Sequence, residues 1–223
     1  MRSSATTADE KALASRWRRH YVGQVSSQLA SASPRQGLNA RQQGTVEKLL
    51  AAGLDELRDV GHEALTIRTV AQRAGVSPAT AYTYLASKQH LFAELFSRHI
   101  AVDDEAEITG ATAIERVQHV ARNVVARIVT EPELAAAVTP ALLGSDPDVN
   151  RLRRLIGAQF ITRFEDALRD PDATEEPVDA AVLEVLILTF FGALLQAGMG
   201  LKSYDDLAER LESAFAVIMR GNS

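Results

Sequence analysis

The stretch TIRTVAQRAGVSPATAYTYLASKQHLF, residues 66–92, constrains this chain more than any other, because a few of its residues dictate where helices stop and start. Ile67, Val70, Ala71 and Ala74 recur with helical spacing. Thr66 precedes them, where a hydroxyl accepts from a free amide of the first turn. Gly75 follows, where a helix end needs a left-handed residue that glycine adopts cheaply. Ser77-Pro78 then opens a new helix, with serine as N-cap and proline at the first helical position, where its missing N–H costs nothing. Two short helices joined by a turn containing glycine make a helix-turn-helix. Ala71 is small where the two must come close.

The second helix of the pair, about residues 78–85, is a poor packing element. Ala79, Thr80, Ala81 and Thr83 are small. Tyr82 and Tyr84 lie about 200° apart around a helix, so they cannot both face one core, and at least one phenol is expected in solvent. A phenol beside hydroxyls and a lysine suits phosphate oxygens, and small side chains let a helix enter a major groove. Ser87-Lys88 is expected to cap a third helix bearing Leu91, Phe92, Leu95 and Phe96, whose first amides and lysine would make an anion site.

These residues resemble the TetR family of one-component transcriptional regulators. The likeness is carried by Thr66, Arg68, Val70, Ala71, Ala74, Gly75, Val76 and Ser77, then by Thr80, Tyr82, Tyr84, Ser87, Lys88 and Leu91, within about residues 40–100. It implies an all-α homodimer, with an N-terminal three-helix helix-turn-helix DNA-binding head followed by a C-terminal helical ligand-binding and dimerisation bundle. By position it implies that Thr80, Tyr82, Tyr84 and Lys88 touch DNA backbone or base edges, with Thr66, Arg68 and Thr69 in support from the first helix. Ser77, Pro78, Ala79 and Thr83 complete the expected DNA-facing set. Leu85 stands where the family usually has phenylalanine, and Ala81 and Thr83 where bulkier or basic residues are common. The reading helix holds no Arg or Lys, so backbone and methyl contacts are expected to matter more than base readout by cations.

The net charge of −5 argues against a polyanionic partner until the chain is divided. Residues 1–100 carry 13 Lys/Arg and 8 Asp/Glu, whereas residues 101–223 carry 11 and 21. A basic front and an acidic back orient a protein on a polyanion. Cysteine is absent, which excludes disulfides, thiolate catalysis and cysteine metal sites. His20, His62, His90, His99 and His119 form no HxxxH or HExxH pair, and His99 with Asp103 lacks a third ligand. No metal and no cofactor is expected. There is no glycine-rich phosphate loop, GxSxG elbow or carboxylate pair in an evident cleft, which makes an α-helical enzyme the remote alternative. A helical adaptor whose head binds protein is the nearer one, and steep loss of DNA binding with salt separates it from a DNA reader. The longest apolar stretch, around residues 182–195, is broken by Glu184 and Thr189, and the N-terminus lacks a signal-peptide core. A cytoplasmic protein without a membrane partner is expected.

Three segments follow: an extension over 1–38, a DNA-binding domain over 39–104, and a ligand-binding and dimerisation domain over 105–223. In the extension, Leu13, Trp17, Tyr21, Val25 and Leu29 recur every four residues beside Arg16, Arg18 and Arg19, which predicts an amphipathic helix over 9–30 before the linker SASPRQG. Its arginines are candidates for neighbouring phosphates; packing of Trp17 and Tyr21 on the protein body is the alternative. Helices are predicted near 41–60, with Asn39 and Gln42 as a capping box and Gly61 as the stop, then near 67–74, 78–85, 88–102, 112–129, 132–142, 147–169, 177–200 and 204–220. Pro132, Pro140, Pro147, Pro171 and Pro177 fall at predicted ends or loops, and no segment reads as a strand.

The segment 178–201 is apolar on nearly every side, so it must be buried all round. With Leu207, Leu211, Phe215 and Ile218, the helices near 177–200 and 204–220 are expected to form half of a four-helix interface in a twofold dimer. Two heads could then address the half-sites of a palindromic operator in double-stranded DNA, about 34–36 Å apart. The resemblance also implies an effector pocket. A small, largely hydrophobic effector is expected against Phe160, Phe164, Phe190 and Leu194, oriented by His119, Asn123 or Gln196; plain packing of these side chains is the alternative. Effector binding is expected to shift the spacing of the heads and release DNA, as in a repressor.

Overall fold

The structure is a computed structural model that describes residues 39–101, 107–169 and 178–220. The extension over 1–38, with its expected helix and linker, lies outside the described residues. Nine α-helices, and no strand, occupy the described residues: α1 (Ala40–Ala64), α2 (Ile67–Arg73), α3 (Pro78–Tyr84), α4 (Lys88–Ala101), α5 (Ala113–Val129), α6 (Pro132–Leu143), α7 (Pro147–Leu168), α8 (Ala180–Gly198) and α9 (Leu207–Arg220). They group into two compact units that do not follow chain order. One joins α1–α4 to residues 127–156, and the other comprises residues 107–126, 157–169 and 178–220.

In the first unit the capping box forms at the start of α1: the Asn39 side chain accepts from the Gln42 amide at 3.0 Å, and the Gln42 side chain from the Asn39 amide at 2.9 Å. Leu49, Leu50, Gly53 and Leu57 line the buried side of α1. Gly53 sits at a close approach: a Cβ there would lie 2.9 Å from a methyl of Leu91 on α4, which would have to move aside. Gly61 does not end α1. At φ 75° it kinks the helix, which resumes for a last turn, because the Leu65 amide recovers the Gly61 carbonyl at 3.2 Å. Leu91, Phe92, Leu95 and Phe96 of α4 are buried, as are Leu134, Ala135, Ala137, Val138 and Ala141 of α6. Pro140 sits inside α6 rather than at its end. Arg58 of α1 hydrogen-bonds Glu131 at the start of α6.

The second unit is built on rings. Phe160 and Phe164 of α7, Phe190 and Phe191 of α8, and Phe215 of α9 meet mostly edge to face, with centroids 5.0–5.9 Å apart. Arg116 of α5 is buried and donates to the carbonyls of Ala167 and Arg169 at 2.9 and 3.0 Å, closing the C-terminal end of α7. The α8 helix buries Val182, Leu183, Leu186, Ile187, Phe190 and Ala197. Within one chain it is not buried all round: Val185, Leu188, Leu195 and Met199 are exposed. By length and mean hydropathy it is also long and apolar enough to cross a membrane. Glu184 and Thr189 are single interruptions, too few to lower the mean hydropathy of the helix below that of a span. Its buried side belongs to the aromatic core.

Candidate nucleic-acid interface

The turn between α2 and α3 is fixed by backbone chemistry. Thr66 Oγ1 accepts from the Thr69 amide at 3.1 Å, and Thr69 Oγ1 from the Thr66 amide at 3.2 Å, so both threonines start α2. At its end the Val76 amide reaches the Ala71 carbonyl at 3.0 Å and the Gly75 amide reaches Gln72 at 3.2 Å. This is the paired closure that a left-handed residue permits, and Gly75 supplies it at φ 69°. Ser77 Oγ accepts from the Thr80 amide at 3.1 Å and starts α3. Ala71 and Ala81 are fully buried. Arg73 ties α2 back to α1 through Glu56 at 2.8 Å and Asp59 at 2.6 Å. The Asp59 hydrogen bond holds the guanidinium pKa above its usual value despite the opposing cost of burial.

This scaffold sorts the expected DNA-facing residues. Thr66, Arg68, Ser77, Pro78, Ala79, Tyr82 and Thr83 are exposed, Tyr82 by 55 %. Thr69, Thr80, Tyr84 and Lys88 are half-buried. Thr83 Oγ1 turns back to donate to the Ala79 carbonyl at 3.0 Å. Lys88 is engaged within the fold: its Nζ donates to the carbonyls of His62 and Glu63 at 3.0 and 3.1 Å, closing the last turn of α1. The amide end of α4 already holds a carboxylate of the chain itself. Ser87 Oγ accepts from the His90 amide at 3.0 Å and donates to Asp146 Oδ2 at 2.7 Å, while Asp146 Oδ1 caps α7 at the Asp148 amide, 2.9 Å away. Sequence marks Asp146 as the cap before Pro147, but nothing local signals a second partner 59 residues away.

The sequence profile described as "Bacterial regulatory proteins, tetR family" matches residues 49–95. An uncharacterized HTH-type transcriptional regulator of Mycobacterium tuberculosis is 40 % identical over 190 residues, covering 82 % of this chain and 84 % of its own. The chain belongs to the TetR family. A second relative, the HTH-type transcriptional repressor KstR of Rhodococcus jostii, is 27 % identical over 79 % of this chain and 84 % of its own. The TetR fold is shared with Thermus thermophilus FadR, a transcriptional repressor solved in complex with lauroyl-CoA. It has a TM-score of 0.59 at 21 % identity over 78 % of this chain and 93 % of that one. TetR membership makes α2 and α3 the helix-turn-helix of a DNA-binding transcriptional regulator.

The residues expected around an effector fall in three places. Phe160, Phe164 and Phe190 come together, buried and edge to face. His119 and Asn123 pair with each other at 2.8 Å, and His119 Nδ1 lies 2.9 Å from Thr109 Oγ1, so both polar groups are engaged locally. Leu194 is half-buried. Gln196 lines a groove of about 430 Å3 between α8 and α9, with Leu188, Gly192, Lys202, Arg210 and Leu211. No group of three or more His, Asp or Glu suited to a metal occurs among the described residues.

Proposed function

We propose that the chain is a ligand-responsive repressor that binds a palindromic operator as a homodimer and is released by a small, largely hydrophobic effector. The observation that carries this reading is the outer side of α3. Ser77, Pro78, Ala79, Tyr82 and Thr83 face solvent together, and Tyr82 leaves 55 % of its surface open among them. Phenol, hydroxyl and methyl are groups that phosphates and thymine methyls accept. Arg68, with no ion-pair partner among the described residues, is the cation of α2 placed to add a phosphate contact.

The dimer is supported by α8. Val185, Leu188, Gly192, Leu195 and Met199 follow one another at spacings of three and four, the seam of paired helices. The seam's four large side chains are exposed, as is Val217 of α9. At Gly192 a Cβ would meet nothing within 4 Å. A second copy of the same face, related by a twofold axis, would cover the seam. The effector is proposed by analogy with FadR and its acyl-CoA. Phe160, Phe164, Phe190 and Leu194 would enclose an acyl chain once the rings separate, with His119, Asn123 or Gln196 as its polar contacts. A preference of the effector for the separated form is what would shift the heads. The protein would act in the cytoplasm without a membrane partner.

Selection of bound duplex from a random pool tests the central claim. A recovered palindrome with half-sites one helical turn apart is the expected result, and an unordered mixture would count against operator reading. Mobility shift of the recovered operator with lauroyl-CoA added tests release.

A further inference from the structure

The turn that follows α3 is held by a buried ring. His90 of α4 is 4 % exposed, and its Nδ1 accepts from the Ala86 amide at 3.2 Å. An amide N–H can only donate, so Nδ1 carries no proton and Nε2 carries one. That Nε2 lies 3.6 Å from Glu94 Oε1, beyond a hydrogen bond, and has no other partner among the described residues. Ala86 is the second residue past α3. Leu85, between them, is buried, and its amide still closes on the Ala81 carbonyl at 2.8 Å. The reading helix is thus fixed at its start by Ser77 and, beyond its last turn, by Leu85 and the bond from Ala86 to His90.

This last bond depends on the charge of the ring. A second proton on the imidazole goes to Nδ1, where it meets the Ala86 N–H donor to donor. Ala86 is exposed, so water can take over its amide once the ring lets go. The charged groups around the ring are Glu94 on its own helix, with Arg98 and Arg151 beyond it at 4.0 and 3.6 Å, and Asp146 just before α7. Two carboxylates favour the second proton, while burial and the two arginines oppose it. Histidine is also the side chain whose charge changes near neutral pH.

We propose that His90 is a positioning residue for DNA recognition: as a neutral ring it holds the turn after α3 through the Ala86 amide, and on taking a second proton it releases that turn. The proposal rests on the DNA-binding reading above and adds to it a pH dependence of unusual sign. A protein gains positive charge as pH falls, which favours a polyanionic partner. Here the DNA-competent form is the one with fewer protons, so binding is full while His90 is neutral and is lost as falling pH charges it.

The test is a titration of the full-length protein with the operator recovered by selection, at constant ionic strength, from about pH 8 to about pH 6. The parent's affinity is expected to fall about tenfold for each head engaged, the scale of one lost hydrogen bond. Its urea midpoint is expected to change little over the same range, which separates release of the turn from unfolding. His90→Asn sets an amide oxygen in place of Nδ1, an acceptor that does not titrate. It should bind like the parent at the alkaline end and show no acid loss. His90→Leu offers no acceptor and should bind about tenfold more weakly throughout. A parent whose binding holds or strengthens toward acid would overturn the proposal. So would a loss that merely tracks unfolding, or an asparagine variant that keeps the parent's acid loss. The parent's own profile needs no substitution and decides the matter even if a variant is poorly folded. Absence of binding to any duplex at the alkaline end would sink the DNA-binding reading and the proposal with it, an outcome distinct from binding without acid loss.

Discussion

Helices α3 and α8 each expose what a folding chain has reason to hide, but of opposite kinds. The seven residues of α3 bury Ala81 and present a phenol, hydroxyls and methyls. The nineteen residues of α8 bury a full side of aliphatic and aromatic groups and still present Val185, Leu188 and Leu195, with Met199 just past their end. The outer side of α3 is hydrated at little cost, so it tolerates long periods without a partner. Apolar surface left in water forfeits roughly 25 cal/mol per Å2, so the bare side of α8 favours a partner that stays. The contrast separates a surface for encounter from a surface for assembly, and each can be tested apart from the other.

The largest expected effect lies on the inner side of α8. Phe190 is fully buried between Phe160 and Phe164, and Phe190→Ala is expected to cost about 3–5 kcal/mol in urea unfolding. Leu188, two residues away, is 65 % exposed, and Leu188→Ala is expected to stay within about 0.5 kcal/mol under conditions where the chain is monomeric. Equal losses at the two positions would show that α8 does not have two distinct sides. The next effect is on assembly. Leu188→Asp places a carboxylate in the seam twice, once from each copy, and should weaken self-association by at least about a hundredfold. Sedimentation of the variant is expected to give the mass of a single chain; a dimer that persists would move the interface away from α8.

Much of this was legible in the sequence because it is local. The caps at Asn39, Thr66 and Ser77, the left-handed Gly75 and the proline at the head of α3 each act within a few residues, and all appear where spacing alone puts them. The two tyrosines of α3 divide as a 100° step per residue requires, Tyr82 outward and Tyr84 half inward. What spacing could not reveal depends on residues far apart. Gly61 looks like a stop until Leu65 is seen to recover its carbonyl. Lys88 reads as a free cation until the end of α1 arrives beside it. The pairing of His119 with Asn123 follows from their helical spacing, but that of His119 with Thr109 does not. The three phenylalanines named for a pocket do converge, yet composition cannot distinguish rings that pack together from rings that part for a ligand.

On α3 a smaller effect is expected, confined to binding. Tyr82→Ala removes a side chain that is more exposed than covered, so its unfolding curve should match the parent within about 0.5 kcal/mol. Its affinity for the selected operator is expected to fall about tenfold, the scale of one lost polar contact, near 1.4 kcal/mol. Tyr82→Phe, which keeps the ring, should recover part of that loss. A drop in stability with no drop in binding would place Tyr82 with the buried side of α8 rather than with the encounter surface.

The smallest effect concerns what holds each surface in place. The start of α4, which follows α3, is anchored by polar bonds, whereas the buried side of α8 is apolar, so acid should be felt at the first. The hydrogen bond from Ser87 is the main cause that keeps the Asp146 carboxyl below its usual range, against a smaller opposing cost of burial. A carboxyl with a lower pKa folded than unfolded contributes stability that is fully present above the unfolded value, about 3.9 for aspartate. That contribution is lost as pH falls through the folded value. Glu131, held down chiefly by its hydrogen bond from Arg58, acts in the same sense. So does Glu94, where burial pushes upward but His90, Arg98 and Arg151 outweigh it. The parent's acid limb is therefore a sum, and Asp146→Asn isolates one member. At neutral pH the variant should lose at most about 1 kcal/mol, because an amide oxygen still caps α7. Below about pH 4 its urea midpoint should fall less steeply than the parent's. The difference should be modest, since the Ser87–Asp146 contact is only partly shielded from water. An acid limb identical to the parent's would remove Asp146 from the anchor of the head.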